Sequence, residues 1–291
     1  MYFDDFGFRT APFSINPDPA FAVETSAHAR VRGRIAAAAT SSPAWISLTG
    51  APGVGKTLLC RQLVGQQADV AGFTSSVLLA TAFPTAGALM RALADALEGS
   101  AGRPASSSLE ESAERVGRRL RDAAARGNLL ICLDECQATA PDALEAFRRA
   151  IDQAAPWRHL VVVLAGSPEF DAALDREDLR ALRSRIGLRG ALGGLHAEET
   201  EGYLRTRLRL AGGNGVSLFP PPIARLVHRA ARGNPRAVNL VAHNALLNAW
   251  REGATVVRPA HVAAAANETP NASRLGTITR AAHWIESLVG T

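Results

Sequence analysis

Gly50-Ala51-Pro52-Gly53-Val54-Gly55-Lys56-Thr57 holds the chain's only lysine; every other strongly basic residue is arginine. The octet fits the pattern G-x-x-x-x-G-K-[ST]. Its glycines let the backbone close around anionic oxygens, so that successive N–H groups, through Leu58, point at them. A helix beginning at the end of the octet offers its positive end to the same anion. Lysine delivers a compact charge on a flexible stem, which the rigid fork of arginine does poorly. The Thr57 hydroxyl suits a magnesium ion. The pattern therefore implies a site for a nucleoside triphosphate.

The flanks agree. Ala44-Trp45-Ile46-Ser47-Leu48-Thr49 reads as an apolar strand entering the loop. Leu58-Leu59-Cys60-Arg61-Gln62-Leu63-Val64 reads as a helix leaving it, with apolar residues at helical spacing.

From Trp45 to about Leu192, strand-like runs alternate with amphipathic helical patterns. The second strand is predicted over Ser76–Thr81, followed by a helix over Thr85–Leu97 and a Gly/Ser/Pro-rich linker over 99–108. A helix over Leu109–Ala125 leads to a third strand, Leu129–Leu133. Pro141–Gln153 then reads as a helix with proline in its first turn, and the fourth strand is Leu160–Ala165. Such alternation predicts a parallel sheet with helices on both faces. Beyond Gly193 the patterns are helical throughout: Glu198–Leu210, Pro222–Ala231, Pro235–Trp250 and Pro259–Ala266. A short last helix is expected over Ala281–Leu288.

The third predicted strand ends in Asp134-Glu135. Two acids at the carboxyl end of a buried strand are the expected complement of a phosphate loop: Asp134 to hold magnesium, Glu135 to polarise an attacking water. Ser167, at the end of the fourth strand, is read either as a group that orients water or as a plain helix cap in Ser-Pro-Glu. Arg180, Arg183, Arg185 and Arg189 follow; they are either solvated surface or a source of an arginine finger acting on a neighbouring subunit's γ-phosphate. Gly233-Asn234-Pro235-Arg236 opens a helix, and Arg236 either faces water or reaches the phosphates.

Composition bounds the function further. No apolar run approaches the ~20 residues needed to span a bilayer, and Met1-Tyr2-Phe3-Asp4-Asp5 lacks the layout of a secretory signal, so the cytoplasm is the expected compartment. Cys60, Cys132 and Cys136 read as buried thiols. A net charge of +5 admits a nucleic-acid partner. Arg30, Arg32 and Arg34, with Arg115, Arg118, Arg119, Arg121 and Arg126, are candidate basic faces or ordinary solvated helix surface.

In this order the pieces resemble the AAA+ ATPases, specifically the ExeA/GspA-like group associated with general secretion. Phe6-Gly7-Phe8, Pro12-Phe13-Ser14 and Pro17-Asp18-Pro19 are similar to that group's opening, which packs near the nucleotide base. Asp134-Glu135-Cys136-Gln137 is similar to its Asp-Glu-Ala-Gln signature. Gly166-Ser167-Pro168-Glu169-Phe170 resembles its Gly-Gln-Pro-Glu-Leu segment, with Ser167 in place of glutamine. Arg183-Ser184-Arg185-Ile186 and Gly233-Asn234-Pro235-Arg236 resemble its finger and second-sensor motifs.

The resemblance implies a P-loop NTPase (AAA+) α/β core with a parallel sheet flanked by helices, then a small all-helical lid domain. The expected layout is an N-terminal segment over 1–40, the core over 41–193, the lid over 194–270 and a tail over 271–291. It implies Mg2+ and ATP as ligands, hydrolysis at subunit interfaces in a ring or filament, Arg185 as finger and Arg236 as second sensor. Secretion members often continue into a membrane span and a wall-binding domain, which this sequence does not contain. Related transposition ATPases (TnsC-like) assemble on DNA and direct a transposase, giving a second expectation for partners. A switch that binds ATP without hydrolysing it is a third, against which Glu135 argues.

Overall fold

A computed structural model describes residues 2–14, 19–41, 44–65, 73–98, 108–154, 160–213, 218–270 and 272–273. Residues 17–18, most of the 99–108 linker and the helix expected at 281–288 lie outside the described residues. In chain order the elements are α1 (Tyr2–Asp5), α2 (Ser26–Ser41), β1 (Ala44–Thr49), α3 (Lys56–Gly65), β2 (Ser75–Leu79), α4 (Ala86–Glu98), α5 (Leu109–Arg126) and β3 (Leu129–Leu133). Then come α6 (Pro141–Gln153), β4 (Leu160–Gly166), α7 (Pro168–Ala173), α8 (Arg180–Arg185), β5 (Ile186–Ala191), α9 (Ala197–Leu210), α10 (Pro221–Ala231), α11 (Pro235–Arg251) and α12 (Pro259–Glu268).

Two compact units emerge from these elements: residues 28–52 with 56–193, and residues 1–27 with 53–55 and the chain from 194 onward. The first 40 residues therefore divide between units at about residue 27.

In the α/β unit, the sheet has the order β2-β3-β4-β1-β5, with every pairing parallel. A parallel strand covered on both faces needs apolar residues at every position, so its sequence is a continuous run instead of an alternation. β3 and β4 are buried along their whole lengths. β1 carries two buried hydroxyls, Ser47 and Thr49. Asp171 of α7 satisfies both, accepting from Thr49 Oγ1 at 2.7 Å and Ser47 Oγ at 3.5 Å. Phe147 of α6 meets Trp45 edge-on in the core, with ring centroids 5.8 Å apart.

β5 is the strand that run-based reading does not find. Ile186-Gly187-Leu188-Arg189-Gly190-Ala191 has two glycines and an arginine, because it pairs on one edge only and exposes alternate residues. α2 is a second such element: Ala27, Val31 and Ile35 recur at helical spacing and are buried.

The helical unit gathers α9 to α12 around its own core, in which Phe8 and Phe13 from the N-terminal segment are buried. Phe13 meets Phe219 edge-on at 5.6 Å. The segment is held by Arg207 of α9, only 5% exposed, whose guanidinium donates to the carbonyls of Pro12 (2.9 Å), Ser14 (2.8 Å) and Phe21 (2.9 Å). It also lies over the Phe21 ring, 5.2 Å from the centroid. α11 starts with Asn234 as N-cap, its Oδ1 accepting from the N–H groups of Arg236 (3.0 Å) and Ala237 (3.3 Å). Gly233 precedes it at φ 71°, and its carbonyl accepts from Leu195 N–H at 2.7 Å.

Candidate nucleotide site

Parallel register brings three strand ends to one edge of the sheet. Thr49 pairs with Gly166, and Leu133 with Leu164, so the loop after β1, Asp134 after β3 and Ser167 after β4 share that edge. Ligands of open α/β sheets bind outside the carboxyl ends of the strands. Gly53 and Gly55 adopt φ of 88° and 103°, the left-handed region that a side chain penalises, so these two loop positions require glycine.

Lys56 is the first residue of α3. Its Nζ folds back over the loop, donating to the carbonyls of Gly50 at 2.7 Å and Ala51 at 3.3 Å. Burial lowers its pKa from the usual lysine value, while the nearby Asp134 and Glu135 carboxylates oppose that shift.

One residue on, Thr57 Oγ1 donates to Asp134 Oδ2 at 2.5 Å. Asp134 is 1% exposed; its Oδ1 accepts from Glu135 N–H at 2.9 Å, and its own N–H donates to Leu79 O at 2.8 Å. A hydroxyl and a carboxylate are hard oxygen donors. Magnesium is ordinarily held by one or two carboxylates together with substrate phosphates, not by an all-protein cage. Thr57 and Asp134 fit that ion.

Glu135 is exposed and stands at φ 56°, ψ 35°, a left-handed conformation that costs a non-glycine residue about 1–3 kcal/mol. The surrounding turn holds it there. Ala138 N–H donates to Glu135 O at 3.0 Å, and Thr139 N–H to Cys136 O at 3.3 Å. The Thr139 hydroxyl in turn accepts from Phe83 N–H at 3.2 Å, anchoring the turn to the segment after β2. Backbone strain of this kind collects where function fixes a side chain.

Ser167 occupies the N-cap position of α7 but makes no side-chain cap bond. Its N–H donates to Gln137 Oε1 at 2.9 Å. Its hydroxyl engages Glu169 and is the leading cause of that carboxylate's lowered pKa, to which the Lys56 charge adds.

Arg185 is placed elsewhere. It ends α8, directly before β5, and Ile186 is level with Trp45 at the start of β1. With ~3.3 Å per residue, the length of β1 puts it roughly 15 Å from its own chain's loop. It pairs with Asp152 of α6, Nη2 to Oδ2 at 2.9 Å, with half its side chain exposed. Arg183 pairs with Asp175 at 3.0 Å. α8 itself is fixed to α6 through Glu145, which accepts from Leu182 N–H at 3.0 Å and from Arg148 Nε at 2.9 Å. Arg236 lies in the first turn of α11, in the helical unit, with its side chain exposed.

Beneath the loop the three cysteines are free and buried. A hydrogen bond with Cys132, then burial, raises the Cys60 thiol's pKa well above its usual value; burial does the same for Cys136. Both are kept as neutral thiols, poor nucleophiles and poor metal ligands.

Three residues of consequence have no role that the sequence alone assigns. Gln137 stands inside the Asp134–Gln137 signature, which was its signal. Asp171 and Arg207 had none, since their partners lie 122 and up to 195 residues away.

Residues 39–174 match the AAA domain family. With the parallel sheet, the phosphate loop and the helical unit that follows, the chain has the AAA+ fold. Its resemblance to the ExeA/GspA-like group is also found directly. The chain is 28% identical over 281 residues to general secretion pathway protein A of Aeromonas hydrophila, covering 95% of this chain and 50% of that protein. It thus spans half the length of this relative. Among solved structures, the Aeropyrum pernix ORC1 protein in complex with DNA superposes with a TM-score of 0.65 at 23% identity, covering 90% of this chain and 69% of that one. Cdc6p from Pyrobaculum aerophilum gives 0.64 at 16%, covering 88% and 70%. The RuvB branch-migration motor of Thermotoga maritima gives 0.53 at 14%, covering 82% and 68%. These likenesses establish the fold. Among the described residues, no helix is long and apolar enough to cross a membrane.

Proposed function

We propose that this protein binds and hydrolyses Mg-ATP at interfaces between copies of itself, and uses the cycle to drive a conformational change in secretion or envelope-machinery assembly. The observation that carries the reading is the convergence of Lys56, the Thr57–Asp134 pair and the strained Glu135 at one sheet edge.

Each residue then has a task. The loop N–H groups from Gly50 to Leu58 and the Lys56 ammonium bind the phosphates. Thr57 and Asp134 hold magnesium, which when bound neutralises charge on the β- and γ-phosphoryl oxygens. Glu135 accepts a proton from the attacking water. Ser167, linked to Glu135 through the Gln137 amide, helps orient that water, and Arg236 reports nucleotide state from the helical unit. Arg185, too far from its own loop, supplies its guanidinium to a neighbouring copy, so turnover requires assembly into a ring or filament.

Purified protein tests this directly. ATP turnover that requires magnesium and rises more steeply than linearly with protein concentration supports the proposal, as does Glu135→Gln that binds ATP and does not turn it over. Undiminished hydrolysis by Glu135→Gln would sink the assignment of the base.

A second reading follows from the net charge of +5 and from the superposition on a DNA-bound ORC1 protein: an ATP-dependent regulator of transposition that assembles on DNA. Nucleotide-dependent DNA binding with a steep salt slope favours it. Association with envelope proteins and no DNA binding at low salt favours the first.

A further inference from the structure

We infer that Gln137 is the positioning residue for Glu135, and that it links this side chain to the turn between β4 and α7. The inference rests on the proposed role of Glu135 as base. Gln137 Nε2 donates to Glu135 Oε2 at 2.6 Å, and Gln137 Oε1 accepts from Ser167 N–H at 2.9 Å. One amide therefore spans the ends of β3 and β4, the latter next to β1 and its loop. Its two ends cannot exchange roles, because carboxylate only accepts and the main-chain N–H only donates. This polarity fixes the amide's orientation.

Glu135 needs such a partner. Its side chain is exposed, and an exposed glutamate samples many rotamers. Its backbone is already committed to φ 56°, so the side chain is the remaining freedom. A charge-assisted bond to Oε2 removes most of that freedom and leaves Oε1 to accept a proton.

The anchor at Ser167 is closely packed. A Cβ on Gly166 would meet Phe170 Cβ at 2.8 Å and Gln137 Oε1 at 3.1 Å, so glycine there admits the amide. Asp171, one turn into α7, binds the β1 hydroxyls immediately before the loop. The end of β1 is thus bonded to α7, and the turn before α7 to Gln137 and Glu135, so a shift of that turn reaches the carboxylate through Gln137.

The test is Gln137→Met, which keeps length and bulk but lacks the amide, with Gln137→Ala as a second variant should methionine disturb the turn. In the full-length chain, kcat should fall roughly tenfold or more, while KM, ATP affinity and thermal midpoint stay near wild type. The same substitution in a Glu135→Ala background should cost nothing further in residual turnover, as expected of two residues acting as one unit. Wild-type kcat in both variants would overturn the inference. So would a loss carried wholly by KM, or a loss of equal size added on top of Glu135→Ala. If Glu135→Ala alone retained full turnover, the failure would lie with the base assignment, a separate and visible result.

Discussion

Thr57 Oγ1 donates to Asp134 Oδ2 across 2.5 Å, joining the first turn of α3 to the carboxyl end of β3, 77 residues further along the chain. Asp134 is almost fully buried, so this bond and the Glu135 N–H are what satisfy its carboxylate. Thr57→Val keeps the shape and removes the hydroxyl. It should lower stability by about 1–3 kcal/mol in urea denaturation and abolish the gain in ATP affinity that magnesium confers. ATP titrations with and without magnesium that match wild type would refute the metal role.

Lys56→Ala should weaken ATP binding by two orders of magnitude or more, since the charge proposed to bind the phosphates goes with it. The wild-type protein carries a related pH signature. Burial depresses the folded pKa of Lys56 below its unfolded value, so the unfolded chain holds the extra proton between the two. Stability from this group therefore rises with pH through that window and is lowest below the folded pKa. Affinity for ATP runs the other way, falling as the ammonium is lost at a pH below that of an ordinary lysine. Calorimetric titration across alkaline pH reads both trends.

Glu135→Gly should separate stability from turnover. Glycine adopts φ 56° without the side-chain penalty, and gains more freedom in the unfolded chain, leaving a net stabilisation of about 0.5–1 kcal/mol. Hydrolysis should fall to a small residual rate while the thermal midpoint rises. A lower midpoint would mean that the left-handed turn carries no strain.

Arg185→Ala and Glu135→Gln should each be inactive alone and recover partial turnover when mixed. Mixed assemblies contain interfaces with an intact base on one side and an intact guanidinium on the other. The Arg185–Asp152 pair is partly solvated and worth at most ~1 kcal/mol, so it does not hold the arginine back from a neighbour. Absence of recovery at every mixing ratio would count against shared sites.

Arg207→Met should loosen the N-terminal segment. Three carbonyls lose a charged donor, at a cost of about 2–4 kcal/mol. Limited proteolysis should then cut the first 27 residues faster than in wild type, and unchanged cleavage would show that the apolar contacts of Phe8 and Phe13 suffice.

Much of the α/β unit is legible from local pattern. Leu129–Leu133 and Pro141–Gln153 begin and end where their apolar runs and proline place them. That Lys56, Thr57, Asp134 and Glu135 come together at one sheet edge follows from the order of strand, loop and helix, which local pattern already gives. β5 was not legible in this way, because an edge strand buries too little to need an apolar run. Nor was the division near residue 27, which depends on what the first residues pack against.

The chain by itself determined which groups are candidates for phosphate and metal, since a single octet and one strand end supply them in sequence-local form. Tertiary structure alone decided how those groups are held and where the rest stand. The left-handed turn at Glu135, the amide of Gln137 reaching Ser167 N–H, and the place of Arg185 at the opposite end of the sheet all depend on strand order and register. Those are set by packing between segments far apart in the chain, and no local pattern of residues encodes them.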